Sequence, residues 1–271
     1  MFRLDDKIAV VFGGNGYLGH FFNKALLEYG AIVYSCDINE ISVANRKLQD
    51  EFSERFFHRR INASSKEELL SLKEDILELY DRVDVLVNST TSKGDDFYLP
   101  FEEVSKEGWE IGLEGNLTVP FLTCQVFIPV MSEQKSGSVI NISSIYGLVG
   151  NDQRMYEGSN LHEIYVDKSP NIKQIYSHCV YNAAKGGLNM LTRYLAAYYG
   201  KDNVRINTIT PGGIYYPNEN ETFLRKYSDK TPLARKCNPE EINGALIYLA
   251  SGASSYVTGH NLVVDGGFTI W

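Results

Sequence analysis

A short apolar run, a glycine-rich turn and an amphipathic helix follow one another near the start of the chain. Ile8–Phe12 is entirely apolar, which is typical of a strand buried on both faces of a sheet. Glycines recur at every third position from Gly13 to Gly19, and an amphipathic pattern then runs to about Tyr29. Such a turn allows backbone N–H groups and the helix N-terminus to face a pyrophosphate. The alternative interpretation is a tight turn that binds nothing.

The alternation of strand and helix continues to the end of the chain. Further strands are predicted at residues 31–37, 56–61, 83–88, 137–144, 204–209 and 261–264. Amphipathic or apolar helices are predicted between them, at residues 41–52, 66–81, 109–131, 181–199 and 239–249. This order predicts the α/β class, with a doubly wound parallel sheet in a single domain over residues 1–271.

Composition and charge exclude several classes of function. The chain has 271 residues, 44% of them hydrophobic, and a net charge of −8, which argues against a nucleic-acid or anionic-membrane partner. Its first residues lack a signal peptide, and no apolar run approaches the ~20 residues of a membrane span. Four widely spaced cysteines without a Cys-x-x-Cys pair predict reduced thiols, no metal site and a cytoplasmic location.

An acidic residue ends the second predicted strand. Asp37 follows the glycine turn by roughly 20 residues, where such folds bind the ribose 2′-hydroxyl of adenosine. Neither Ile38 nor Asn39, the next two residues, could accept a 2′-phosphate. The pattern therefore favours NAD over NADP. The alternative is a solvated Asp that caps the next helix.

A tyrosine and a lysine four residues apart begin a later helix. On one helix face, the ammonium of Lys185 can lie beside the phenol of Tyr181. For Tyr181 to act as a general acid and base at neutral pH, the pKa of its phenol must fall by about 3 units, which corresponds to a free energy of about 4 kcal/mol. One cation at roughly 4 Å, at an effective dielectric of ~20, supplies about that much. In a chain with 18 tyrosines, however, one such pair is also expected by chance.

Hydroxyl and amide side chains follow other predicted strands or interrupt a helix. Ser144 ends the strand at 137–144, and Asn62 follows the strand at 56–61, where an amide could meet adenine. Asn116 lies four residues before Pro120, whose missing N–H frees the Asn116 carbonyl to hold a water. An ordinary proline kink is an equally good interpretation.

Together these residues resemble the short-chain dehydrogenase/reductase family along nearly the whole chain. The matching motifs are the glycine turn, Asp37, Asn88, Asn116, Ile142–Ser144, Tyr181-x-x-x-Lys185, Pro211–Gly212, Val257–Gly259 and Asp265–Gly267. The resemblance implies a Rossmann fold and an enzyme that interconverts a secondary alcohol and a ketone.

The resemblance also implies roles for individual residues. Tyr181 would be the acid/base, Ser144 would hold the substrate oxygen, and Asn116 would seat the water of a proton relay. Lys185 would bind the nicotinamide ribose and lower the phenol pKa. The residues implied to bind the cofactor are Gly13, Asn15, Gly16, Tyr17, Leu18, Asp37, Asn62, Ala63, Asn88, Ser89, Tyr181, Lys185, Pro211, Gly212 and Ile214.

Four features depart from the usual pattern of the family. The spacing of the glycine turn is that of larger relatives, and Asn88–Thr91 lacks the glycine that allows close approach of the cofactor. The usual threonine after the Pro-Gly motif is replaced near Tyr216. An insertion, residues 145–180, separates Ser144 from Tyr181 by more than in most relatives. None of these departures removes a catalytic group.

The insertion and a later loop at 215–235 are expected to form the substrate pocket. The insertion mixes aromatic rings with amides and charges, which suits a sugar-like substrate, and Tyr156 and Asn160 are predicted to bind it beside Ser144 and Tyr181. It also looks like the corresponding segment of relatives from surface-polysaccharide and flagellin-glycan pathways. The alternative is an oligomer contact.

The leading hypothesis is an NAD(H)-dependent oxidoreductase acting on a sugar or sugar-derived alcohol. One alternative is a 3-oxoacyl carrier-protein reductase, which the acidic chain disfavours. Another is an NAD-binding sensor or scaffold without turnover. A homotetramer or homodimer is expected, through helices that offer Phe121, Phe127, Met190, Tyr194 and Tyr198.

Overall fold

A computed structural model describes residues 1–165 and 174–271, with the backbone alone for Tyr165. Residues 166–173, which belong to the predicted insertion at 145–180, lie outside the described part. Seven strands form one fully parallel sheet in the order β3-β2-β1-β4-β5-β6-β7. They are β1 Ile8–Phe12, β2 Ile32–Asp37, β3 Phe56–Arg60, β4 Val85–Asn88, β5 Gly137–Ile142, β6 Val204–Pro211 and β7 Asn261–Val264. The predicted doubly wound parallel sheet is confirmed.

Alternate residues of the strands supply two separate cores, one on each face of the sheet. In β1, Ala9 and Val11 face a core that includes Leu246 of a late helix, while Val10 faces a second core with Leu69 and Phe127. All five residues of β1 are buried, as expected for a strand covered by helices on both sides. Burial on both faces explains why the strand shows no polar alternation.

The described residues form nine α-helices, all of which lie between consecutive strands. They are α1 Tyr17–Glu28, α2 Val43–Glu51, α3 Lys66–Tyr80, α4 Lys106–Leu113, α5 Val119–Glu133, α6 Leu161–Tyr165, α7 Cys179–Tyr199, α8 Glu221–Lys230 and α9 Asn243–Ala250. Ser42, Ser65 and Ser105 begin three of them by accepting a backbone N–H of the first turn. The cap at Ser105 explains why α4 begins earlier than the predicted start at 109.

The predicted helix 109–131 is divided by a wider turn. Glu114–Thr118 has π-helical hydrogen bonding between α4 and α5, and it contains Asn116. Pro120 cannot donate to the carbonyl four residues before it, so regular α-helical bonding is lost at this point. The whole stretch Lys106–Glu133 has the length and mean hydropathy of a membrane span, and 56% of its most apolar window is buried inside the fold. A core helix of a soluble protein has the same properties.

A third apolar cluster lies beyond the carboxyl ends of the strands. It joins residues of the insertion, such as Met155 and Tyr156, to Phe223 and Tyr227 of α8. Lys226 also donates to the carbonyls of Arg154 and Glu157, at 2.6 and 2.7 Å. The described part of the insertion and the loop containing α8 therefore pack together as one layer over this end of the sheet.

Candidate active site

A cleft of about 570 Å³ opens at the carboxyl ends of the central strands. In parallel α/β sheets, ligands bind outside this edge, where the strand order reverses. The predicted site residues that line the cleft are Gly16, Tyr17, Leu18, Ser89, Ser144, Tyr156, Tyr181, Lys185, Pro211, Gly212 and Ile214. Residues far apart in the sequence thus share one wall because strands β1, β4, β5 and β6 end side by side.

Tyr181 and Ser144 meet inside the cleft. Ser144 follows β5 and accepts the backbone N–H of Tyr146 at 3.2 Å. Burial raises the pKa of the Tyr181 phenol, and a hydrogen bond with Ser144 lowers it by less. The phenol therefore holds its proton at neutral pH. The predicted lowering of the Tyr181 pKa is wrong for this structure, because loss of hydration outweighs the stabilisation of the phenolate.

Lys185 lies one helical turn after Tyr181 but points along the end of β5. Its ammonium donates to the carbonyl of Ile142 at 2.9 Å and lies 5.4 Å from the centroid of the Tyr181 ring. Burial lowers the pKa of Lys185 to about 8. The ammonium is therefore held at the end of β5 and lies against the Tyr181 ring.

The lowered pKa of Lys185 predicts a pH-dependent stability. Between pH 8 and about 10 the folded chain has released this proton and the unfolded chain has kept it, so stability rises with pH. We expect the free energy of unfolding of the wild type, relative to Lys185→Met, to increase by about 2 kcal/mol over this range. Urea titrations of both proteins at several pH values measure it. The exposed Lys201, replaced by Met, is the control.

Asn116 is fully buried and does not line the cleft. Its amide nitrogen donates to the carbonyls of Ser92 and Gly112, at 3.1 and 2.9 Å. Its buried Oδ1 has no hydrogen-bond partner among the described residues. A buried acceptor left without a partner costs stability, which is typical of a site that a water or ligand completes.

Asp37 and Asn15 are close together on the far side of the glycine turn. The backbone N–H of Asn15 donates to Asp37 at 3.0 Å, and the Asn15 amide donates to the carbonyls of Asn39 and Glu40. These bonds fix the turn against the end of β2.

Gly13 has a φ of +78°, and a Cβ there would lie 2.5 Å from the carbonyl oxygen of Ser89, so only glycine fits.

Several predicted residues do not line the cleft. The Asn88 side chain points into the core, where it donates to Asn141 at 2.9 Å and accepts from Thr123 at 2.7 Å. The Asn160 amide bonds the backbone of Asn218 and Asn220 at 2.7 and 2.8 Å. The other predicted residues outside the lining are Gly13, Asn15, Asp37, Asn62, Ala63 and Asn116. Asn62 accepts the N–H of Ser64 at 3.1 Å, and Ala63 packs against the core.

The structure adds cleft residues that the sequence patterns did not single out. They are mainly aromatic or charged: Lys93, Phe97, Tyr98, Tyr146, His178, Glu219, Phe223, Tyr227 and Lys236. Lys93 donates to the Tyr98 hydroxyl at 2.7 Å, and Phe97 stacks on His178 at 3.9 Å between ring centroids. Burial and the charge of Lys93 lower the pKa of His178 to about 3, so this ring is neutral. Five of these added residues lie in the segments predicted to form the substrate pocket, residues 145–180 and 215–235.

Comparison with protein families decides the class of this chain. Residues 7–159, more than half of the chain, match the family model described as short chain dehydrogenase. The chain belongs to the short-chain dehydrogenase family. Residues 164–269 match a second model, described as enoyl-(acyl carrier protein) reductase. As a member of this family, the protein is an oxidoreductase that acts on alcohol or ketone groups.

Individual relatives match over almost their full length. Post-translational flagellin modification protein A of Campylobacter coli is 31% identical and covers 98% of this chain and 99% of its own. The ribulose-forming D-arabinitol 2-dehydrogenase of Candida tropicalis is 30% identical over all of this chain and 95% of its own. A short-chain dehydrogenase of Leptospira borgpetersenii, crystallised with NAD⁺, has a TM-score of 0.84 and 30% identity, over 98% and 94% of the two chains.

The residues present fit the nicotinamide cofactor that a short-chain dehydrogenase uses. Gly16, Tyr17 and Leu18 line the cleft at the N-terminus of α1, where backbone N–H groups attract a pyrophosphate. The cleft continues from there to Tyr181 and Lys185. Tyr17 also donates to the carbonyl of Tyr215 at 3.1 Å, which joins the glycine turn to the loop containing α8.

Proposed function

We propose that this enzyme uses NAD(H) to interconvert a secondary alcohol and a ketone on a sugar or sugar-derived substrate. The observation that carries the proposal is the meeting of Tyr181, Ser144 and Lys185 in one cleft with the glycine turn. The relatives that modify flagellin or oxidise D-arabinitol support a sugar-type substrate in glycan or polysaccharide metabolism.

Each of these residues has a definite part in the proposed proton transfer. The nicotinamide supplies the hydride acceptor or donor. In the reductive direction, the protonated Tyr181 phenol donates to the ketone oxygen, and the hydrogen bond from Ser144 and the ammonium of Lys185 stabilise the resulting phenolate. In the oxidative direction, Tyr181 first releases its proton to the relay, and the phenolate then accepts the hydroxyl proton. Asn116 seats a water of the proton relay through the backbone carbonyl that Pro120 leaves free, and its Oδ1, which has no partner among the described residues, adds a second acceptor.

The proposed preference for NAD rests on Asp37 at the end of β2. Its carboxylate would repel a 2′-phosphate. Arg60, which is next to Asp37 in the register of β2 and β3, forms an ion pair with Glu40 at 3.1 Å. We expect NADH to bind at least tenfold more tightly than NADPH, a difference of about 1.4 kcal/mol. Calorimetry with both dinucleotides measures it. Asp37→Ser should bring the affinities for NADH and NADPH closer together. Equal affinities of the wild type for the two dinucleotides would contradict the proposal.

A 3-oxoacyl carrier-protein reductase is the second candidate, and the 27% identity to the 3-oxoacyl-(acyl-carrier-protein) reductase of Thermotoga maritima favours it. The cleft argues against it, because Lys93, Glu219 and Lys236 all line the wall that an acyl chain would contact. An acyl chain offers these polar groups no hydrogen-bond partner. Turnover with a panel of polyols, sugars, nucleotide sugars and 3-oxoacyl thioesters tests the two candidates against each other. Activity confined to the thioesters would support the second.

We also propose a cytoplasmic homo-oligomer, most simply a tetramer, with a dimer as the alternative. All four cysteines are free thiols, which suits a reducing compartment. Phe121, Met190, Tyr194 and Tyr198 are 44–62% exposed on α5 and α7, whereas Phe127, expected to share this surface, is fully buried in the core. An exposed apolar surface of this kind is typical of an interface.

The proposed assembly predicts the behaviour of the protein in solution. We expect sedimentation velocity to show an oligomer at micromolar concentration, and we expect Met190→Glu with Tyr194→Glu to dissociate it by placing charges in the interface. Tyr256→Glu, an exposed position on a different segment, is the matched control. A wild type that sediments as a monomer at micromolar concentration would exclude the assembly.

A further inference from the structure

Lys236 and Glu219 form a buried ion pair in the wall of the cleft. The Lys236 side chain is 5% exposed and the Glu219 side chain 1% exposed, and both residues line the cleft. The ammonium bonds directly to Oε1 of Glu219, while Oε2 accepts the backbone N–H of Tyr216 at 3.3 Å. A buried pair of this kind contributes little net stability compared with apolar residues of similar volume. Its place in the cleft wall calls for another explanation.

The aromatic rings of α8 hold the ammonium in position. The Nζ atom lies 5.0 Å from the centroid of the Phe223 ring and 5.7 Å from that of Tyr227. A lysine ammonium has three N–H donors, and its bond to Glu219 uses one of them. Lys236 is therefore a fixed donor with remaining hydrogen-bonding capacity, set among aromatic faces. Such faces pack against the C–H groups of a ligand while a few polar groups bind its oxygens.

We propose that the Lys236–Glu219 pair binds uncharged hydroxyl groups of a polyhydroxylated substrate, at the end of the substrate that does not react. This inference rests on the proposed function and narrows its substrate class. A hydroxyl can accept from the ammonium and donate to the carboxylate. A carboxylate or phosphate at the same place would meet Glu219 directly beside the ammonium, and like charges at that distance repel. The pair therefore selects a polyol over the corresponding sugar acid.

Three proteins test this selection: the wild type, Glu219→Gln, and the double variant Glu219→Leu/Lys236→Met. Each is assayed with NAD on a five-carbon polyol, on the matched aldonic acid and on cyclopentanol, a secondary alcohol with no further hydroxyl. The wild type should prefer the polyol. The double variant should lose about tenfold or more in kcat/KM for the polyol, mainly through KM, with cyclopentanol turnover and NADH binding unchanged.

Glu219→Gln separates recognition from a purely structural role. The amide keeps an oxygen that can accept from Lys236 but removes the negative charge, so the acid-to-polyol ratio of kcat/KM should rise about tenfold or more. A pair that only holds the loop together would change turnover of all three substrates alike. The double variant, whose two apolar side chains fill the same space, keeps the test valid if Glu219→Gln folds poorly.

The outcomes distinguish this inference from the proposed function. If the wild type oxidises the polyol and neither variant changes the ratios among the three substrates, the inference is wrong and the proposed function stands. If the wild type prefers the aldonic acid, the inference is likewise wrong. If the wild type oxidises no polyol or sugar at all, both are overturned.

Discussion

Tyr181→Phe is expected to lower turnover by roughly 10²–10⁴-fold while NADH binding stays unchanged. The substitution removes the transferable proton and keeps the ring, which packs beside Phe97 and His178 at centroid distances of 6.4 and 5.9 Å. The loss should appear in kcat and kcat/KM alike, because the proton is transferred only in the transition state.

The control for Tyr181→Phe is Tyr146→Phe. Tyr146 also lines the cleft, and its hydroxyl lies 3.0 Å from that of Tyr156 rather than beside Ser144. Loss of this hydroxyl should therefore cost far less turnover. Steady-state kinetics with fluorescence titration of NADH separates the two effects. Near-normal turnover in Tyr181→Phe would exclude the proposed proton transfer.

Lys236→Met is expected to lower the free energy of unfolding by about 3–5 kcal/mol. The substitution leaves the carboxylate of Glu219, whose side chain is 1% exposed, buried without its cation. In the double variant with Glu219→Leu, most of this stability should return, because neither member of the pair is left buried without its partner. Urea unfolding of the wild type and both variants measures the difference.

The exposed pair Lys106–Glu110 provides the matched control for this stability prediction. Its atoms are 3.2 Å apart, but its side chains are 88% and 61% exposed, so water and salt screen the interaction. Lys106→Met should leave the unfolding transition almost where it was. An equally mild effect of Lys236→Met would contradict the buried ion pair.

The fold could be predicted because its signals are local. An apolar run such as Ile8–Phe12 specifies a strand covered on both faces, and the glycine turn specifies where the next helix begins. The site at the carboxyl ends of the strands follows from the topology, and Tyr181 and Lys185 share a helix. Their meeting with Ser144 required no knowledge of the loops.

Other features of the site depend on contacts that the sequence does not display. Glu219 and Lys236 meet because Ile214 pairs with Cys237 and brings the two ends of the loop together. The Asn88 amide turns into the core because Asn141 and Thr123 satisfy it there. Burial raises the pKa of Tyr181. This burial depends on the layer that packs above the residue, and the four-residue spacing of Tyr181 and Lys185 does not reveal that layer.

The stoichiometry of oxidation tests the central claim most directly. The wild-type enzyme is incubated with NAD and an excess of a polyol, NADH is followed by absorbance, and the carbohydrate products are identified by NMR. We expect one ketose to form for each NADH, with neither product formed by Tyr181→Phe at a comparable rate. Absence of NADH with every polyol and sugar, or NADH formation without a ketone product, would contradict the proposed function.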